Sequence, residues 1–437
     1  MTGPHQRQRI IDALRKNPPA PIAAPDTYEP MEIAAMMREI GIALIEVAQP
    51  TPNVEARLLQ IAARYTSQPV RVVALPTALL IQIGDDAYQI DGSTRSSLQL
   101  DAAGRIDDIA NLAAAGAISP AEAITAVEKA RRLPPRFGTL ATIVGYAVTT
   151  VGFGMVINPT WSALPAYLFL GLVVGGIVQL SRPLPSLTPI LPTLAALAAT
   201  VLAITVLDSA ANDELLRVIS PALVATLPGM ALTIGAMELA SSQIVSGSSR
   251  LIYGMSQLAM LLFGVAIGVH MVGWVDTHSQ STLMGGWSLY VAIVVVSIGL
   301  YVYLSAPPGS LFWLMAAVAV ALLAQSAAAT VMSASYSGFV GAFLSVPFAM
   351  LATRIKTSPP AIVMMLAAFW SLVPGALSFV AVGQVASGDT ANTANTTSLA
   401  ATGAAILSIA LGTLVGWSVF HTIDSRLPWS RSLAQQS

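Results

Sequence analysis

The sequence predicts a mostly helical polytopic membrane protein, with ten transmembrane helices as two inverted five-helix repeats behind a small α+β cytoplasmic domain. Three observations carry this. Hydrophobic residues make up 55% of the 437 residues and charged residues only 10%, whereas a soluble chain carries about 25% charged residues. From Phe137 onward, apolar stretches of about 20 residues recur, the length that crosses a bilayer. A motif in the first half of that region also returns in the second.

The charge is unevenly placed. Fourteen of 21 Lys and Arg and fifteen of 22 Asp and Glu precede Phe137, which sets a polar domain ahead of a membrane domain. A formal net charge of −1 leaves no nucleic-acid footprint. The absence of cysteine excludes disulfides, thiolate metal sites and cysteine nucleophiles. Residues 1–28 read as a disordered lead: basic residues followed by NPPAPIAAP bury no core, and no apolar run makes them a secretory signal.

Residues 29–136 read as an α+β domain. Ile33, Met36, Met37, Ile40, Leu44 and Val47 recur at spacings of three and four, the signature of an amphipathic helix. A second, VEARLLQIAARY, follows the break at Pro50–Pro52. VRVVAL, ALLIQI and AYQID read as strands around Pro76 and a Gly84-Asp85-Asp86 turn, with their pairing left open. Ser119, Pro120 and Glu122 open a capped helix that ends in Lys129, Arg131 and Arg132.

The apolar stretches are 137–156, 162–181, 187–207, 215–237 and 250–273, forming membrane repeat 1 (137–273). They continue with 287–305, 311–330, 335–353, 360–386 and 398–421, forming repeat 2 (287–421), before a tail at 422–437. Of the seven basic residues after 136, six (Arg182, Arg250, Arg354, Lys356, Arg426 and Arg431) fall on the side of the N-terminal domain. Only Arg217 lies opposite. The positive-inside rule then puts both termini in the cytoplasm, at an inner membrane. Trp161, Trp274, Trp287 and Trp417 stand near span ends as interface anchors.

LPGMAL (227–232) recurs as VPGALS (373–378), an offset of 146 residues that also pairs Gln179 with Gln325 and Ala240-Ser241 with Ala386-Ser387. Five spans per half is odd, so the second half enters the membrane upside down, an architecture of secondary transporters. Chance identity in an alanine- and leucine-rich chain is the plain alternative.

Pro228-Gly229 and Pro374-Gly375 fall near mid-span. Proline removes an N–H and glycine adds freedom, so each pair breaks its helix. The amides freed there suit a carboxylate and the freed carbonyls an ammonium group, the two ends of an amino acid. A packing kink is the competing reading. Thr226, Thr233, Ser371 and Ser378 flank the breaks with small hydroxyls. Gln179 and Gln325 either bond the substrate or join helices. Glu238, an intramembrane carboxylate, is the first candidate proton carrier, or else pairs with Arg250 near the end of its span. Asp208 and His270 follow, with an outer-loop position and a packing role as their plain readings. No catalytic, metal-ligand or cofactor motif is present, and without a Walker loop an ion gradient rather than ATP is the driving force.

The stretch LPGMALTIGAMELASSQIVSGSSRLIYGMSQL (227–258) resembles the signature of the threonine/serine exporter family. Its matching positions are Pro228, Gly229, Glu238, Ser246, Gly247 and Arg250. Val373, Pro374 and Gly375 match the second-half motif, and REIGIALIEVA (38–48) matches the opening helix. Together these cover about residues 31–421. Two positions depart, Glu238 standing for the usual aspartate and Ser242 lying near where a glycine is usual. The resemblance implies a ten-span exporter of threonine and serine driven by the proton motive force. Its partners are then a small amino acid, protons and the bilayer, with no nucleic acid and no cofactor, and the chain is compatible with a homo-oligomer. A succinate-type dicarboxylate exporter and a membrane-anchored metabolite sensor are the alternatives.

Overall fold

A computed structural model describes residues 20–85, 87–93, 99–207, 215–273, 282–372, 379, 380, 382 and 394–426. The N-terminal domain comprises α1 (Pro30–Glu46), α2 (Thr51–Tyr65), β1 (Val70–Leu75), β2 (Ala78–Ile83), β3 (Ala87–Gly92), α3 (Leu100–Ala114) and α4 (Pro120–Arg131). The strands form an antiparallel meander in the order β1-β2-β3. Alternation decides which face is covered: Leu79, Ile81 and Ile83 are buried in one core with Ile33, Met36, Met37 and Ile40 of α1, while Leu80 points outward.

Polar contacts fix the helix ends of this domain. Ser119 and Glu122 form a complete capping box on α4, and the hydrogen bonds from Ser119 hold the Glu122 carboxyl below its ordinary range. At the other end, Arg131 donates to Glu46 through Nε (2.9 Å) and Nη2 (2.7 Å) and reaches Glu39 (3.3 Å). The bond to Glu46 raises the Arg131 pKa despite partial burial.

The membrane region follows as α5 (Thr139–Ile157), α6 (Leu164–Ser181), α7 (Leu191–Val206), α8 (Leu215–Ile219), α9 (Gly229–Ala240), α10 (Ile244–Val272), α11 (Ser288–Tyr303), α12 (Leu311–Ala328), α13 (Ala334–Ala352), α14 (Ala361–Ser371) and α15 (Ala394–Arg426). Among the described residues, seven helices are long and apolar enough to cross a bilayer. The shorter apolar helices α9, α11 and α14 lie where the fourth, sixth and ninth spans are expected.

Small residues set the packing. A Cβ at Gly152 of α5 would come within 2.7 Å of the Val296 backbone nitrogen on α11, and Gly299 of α11 sits as tightly on Thr149 of α5. Gly264 of α10 lies on the Thr193 carbonyl of α7, and Gly412 of α15 on the Phe339 carbonyl of α13. Backbones therefore touch directly, the usual way apolar helices associate without a hydrophobic drive between them. Several buried hydroxyls spend their hydrogen bonds within their own helix. Thr149, Thr150, Ser297, Ser345 and Thr413 each donate to the carbonyl four residues back on their own helix.

The two ends of the bundle differ. At the far end, Met284 N–H donates to the Pro159 carbonyl (2.8 Å) and the rings of Trp161 and Trp287 lie 5.5 Å apart. At the near end, the N-terminal domain docks through helix N-termini, whose first amides lack partners within the helix. The amides of Leu100 and Asp101 at the start of α3 donate to the carbonyls of Leu304 (2.8 Å) and Ser305 (3.1 Å), just past α11. The Arg136 guanidinium lies over the rings of Phe137 and Tyr301 and donates to the Ala306 carbonyl.

Candidate functional site

The fourth segment is interrupted. After α8 the chain makes a 3₁₀ turn at Ser220–Leu223, bends through 224–228, and restarts as α9 at Gly229. Pro228 is the N-cap residue; it has no N–H to lose, and its ring cannot extend the preceding turn. The first amide taken up by the cap is that of Leu232, which donates to the Pro228 carbonyl (3.0 Å). The amides of Gly229, Met230 and Ala231 precede that bond and point along the positive end of the helix dipole.

The carbonyls freed on the other side are occupied. Leu223 accepts from the amides of Thr226 (2.8 Å) and Leu227 (3.0 Å) and from the Thr226 hydroxyl (2.8 Å). Ala222 accepts from the Tyr146 hydroxyl at 2.6 Å. Pro228 and Gly229 are buried, as are Thr226 and Thr233. Thr233 lies one turn beyond Gly229 on the same helix face, and its buried hydroxyl has no hydrogen-bond partner among the described residues. Thr200 and Ser246 share that property, but neither lies at a helix break.

The other expected site residues are placed as follows. α14 ends at Ser371, whose buried hydroxyl donates back to the Ala368 carbonyl (2.7 Å). Pro374, Gly375 and Ser378, with Val373, lie outside the described residues, as do Asp208 and Trp274. Gln179 lines a cavity of about 550 Å³ at the near ends of α5 and α6, together with Thr142 and Arg182; no residue of α9 lines it. Gln325 is half-buried beside Gly338 and Gly341 of α13. His270 is exposed in the last turn of α10.

Sequence reasoning missed an aromatic chain that joins the two halves beside the break. The Trp370 indole N–H on α14 donates to the Met230 sulfur on α9 (3.2 Å). The Trp370 ring lies 6.3 Å from that of Tyr303, which meets Tyr146 edge-on at 4.9 Å. Tyr and Trp favour the membrane interfaces, so Tyr146 and Trp370, placed within apolar spans, were the available signal.

Glu238, in the last turn of α9, is fully buried. Its Oε1 accepts from the Thr51 amide (2.9 Å) and the Thr51 hydroxyl (3.1 Å), and Arg250 Nε donates to Oε1 (3.2 Å) and Oε2 (3.0 Å). The pairing with Arg250 is thus present, and Thr51 adds a partner from another domain. Beside it, Gln243 donates to Glu55 Oε2 (3.0 Å), while Glu55 Oε1 accepts from the Ala74 amide (2.9 Å).

These features define a multi-pass helical membrane protein with a buried helix break and an N-terminal domain seated on one end of the bundle. The family model ThrE, described as "Putative threonine/serine exporter", matches residues 35–272. That is more than half of the chain, and the chain belongs to this family. The matched stretch runs from α1 to the end of α10, so it holds the break, Glu238 and Arg250. No curated protein and no solved structure matches the chain.

Proposed function

We propose that this chain exports threonine and serine from the cytoplasm, binding the amino acid at the start of α9 and using the proton gradient. The observation that carries this is the buried break at Pro228-Gly229. Three amides at a helix start suit the substrate carboxylate, and the unpartnered Thr233 hydroxyl stands one turn away to meet a substrate hydroxyl. A threonine or serine side chain supplies that partner; a purely apolar side chain leaves Thr233 unsatisfied, which costs affinity.

The second half contributes through the ninth segment, in a ten-span inverted repeat. Several features support that reading. The pair α7–α10 packs at the Thr193 carbonyl and the pair α13–α15 at the Phe339 carbonyl, and these residues are 146 apart, the offset of the sequence repeat. Residues 151 and 297, also 146 apart, fall at the centre of the crossing set by Gly152–Val296 and Thr149–Gly299. α14 stops at Ser371, three residues before Pro374.

The proposed orientation places the N-terminal domain in the cytoplasm. Because the chain has no cysteine, single cysteines report side cleanly. Thr282→Cys labels with an impermeant reagent from outside and Lys356→Cys only after permeabilisation; the reverse pattern inverts the orientation and the direction of export.

Flux of labelled threonine from proteoliposomes tests the function. The expected result is efflux above protein-free vesicles that serine competes and that collapse of the pH gradient stops. Succinate flux without threonine flux identifies a dicarboxylate exporter, and no flux of either identifies a sensor. Gly229→Leu fills the break and is expected to abolish flux while the protein still inserts.

A further inference from the structure

We propose that Glu238 is a positioning residue. With Arg250 and Thr51 it bolts the N-terminal domain to α9, and the bolted domain holds α9 and α14 in their binding geometry. The proposal rests on the reading that the start of α9 binds substrate.

The geometry of the carboxylate leads to this. Glu238 is fully buried, and among the described residues its carboxylate accepts hydrogen bonds from the Thr51 amide, the Thr51 hydroxyl and the Arg250 guanidinium. The Thr51 amide opens α2, so Glu238 also supplies the negative charge that a helix N-terminus favours. It caps a helix 187 residues away in sequence. Gln243, the N-cap residue of α10, and Glu55 of α2 add a second link beside it, and Glu55 passes it on to β1 through the Ala74 amide.

The same domain reaches the ninth segment. Gly104 of α3 lies so close to Val363 of α14 that an added Cβ would come within 3.2 Å of its side chain. α3 is itself fixed to the end of α11 through the amides of Leu100 and Asp101. One domain therefore touches α9 at Glu238 and α14 at Val363. α9 has 12 residues, a rod of about 18 Å. Its first turn carries the proposed binding amides and its last turn carries the bolt, so a displacement of the domain is delivered to the site.

The test uses the full chain in proteoliposomes and compares threonine self-exchange with gradient-driven efflux. Glu238→Gln is expected to raise the KM about ten-fold in both modes and to leave the pH profile unshifted. Exchange kept intact while net efflux is lost makes Glu238 a proton carrier and overturns the proposal, as does no change in either mode.

A tether supplies the rescue. Glu55→Cys and Gln243→Cys, joined by a short thiol cross-linker, are expected to transport at the uncross-linked rate and to restore the KM of Glu238→Gln. Arrest on cross-linking, or failure to rescue, overturns the proposal. If the unmodified protein moves no threonine, the binding-site reading falls separately. The bolt is then judged by hydrogen exchange at the start of α2: faster exchange in Glu238→Gln supports it and unchanged exchange refutes it.

Discussion

The N-terminal domain and the membrane bundle are held together by different forces, and the difference singles out the proposed binding site. In the domain, side chains bond across elements: Arg131 ties α4 to α1 through Glu46 and Glu39, and Asp26 binds the Ser67 amide and hydroxyl. In the bundle, hydroxyls close on their own helices and glycine brings backbones into contact. Polar groups in the bundle are thus mostly spent locally, because hydrocarbon offers no substitute for a missing partner. Thr233 breaks that habit, and it does so beside the helix break.

Four predictions probe the contrast. The largest effect belongs to backbone contact: Gly152→Leu drives a side chain into the Val296 backbone and is expected to cost about 3 kcal/mol or more, read as loss of monodisperse protein in detergent. A stable variant breaks the comparison. Next comes the domain's ion pair. Arg131→Ala leaves the Glu46 carboxylate, only 5% exposed, without its guanidinium and with the Ser93 hydroxyl still bonded to it, and is expected to cost about 2–3 kcal/mol, because Arg131 itself partly faces water. Thermal melting of the N-terminal domain, followed by hydrogen exchange, measures this while the membrane helices stay protected.

Third, Ser297→Ala removes a hydroxyl bonded only within its own helix and is expected to change stability by less than about 0.5 kcal/mol; a larger loss shows that such hydroxyls do join helices. The smallest effect concerns pH. Asp26 is lowered by hydrogen bonds from Ser67 and Thr66, and Glu122 by those from Ser119. A carboxyl lowered in the folded state stabilises above its ordinary range, and that contribution is lost as pH falls through the lowered value. Mild acid is therefore expected to loosen the Asp26–Ser67 link and the α4 cap. Asp26→Asn together with Glu122→Gln removes most of that sensitivity; a double variant as acid-sensitive as the parent contradicts the assignment.

Local signals were readable in the sequence and long-range ones were not. The three strands lie where alternation and the intervening Pro76 and Gly84 put them, and Ser119-Pro120-Glu122 is the helix start that its spacing announces. Pro228-Gly229 marks the break because proline chemistry is local. α3 escaped notice because Gly104 and three aspartates, Asp101, Asp107 and Asp108, mask its apolar periodicity; Asp101 and Asp107 are buried and ion-paired to Arg105 and Arg57. Arg250 is twelve residues from Glu238, close enough to suspect. Thr51 is 187 residues away and nothing in its surroundings announces the contact. The aromatic chain from Tyr146 to Met230 draws on four helices and exists only once they pack.

The most direct measurement compares threonine with 2-aminobutyrate, which lacks the hydroxyl, in the parent protein and in Thr233→Val. One hydrogen bond contributes about 0.5–1.5 kcal/mol, roughly a two- to ten-fold change in affinity. Thr233→Val is expected to raise the KM for threonine by about that factor while leaving the value for 2-aminobutyrate unchanged. An equal rise for both substrates, or none for either, would place the substrate hydroxyl elsewhere and contradict a binding site at the start of α9.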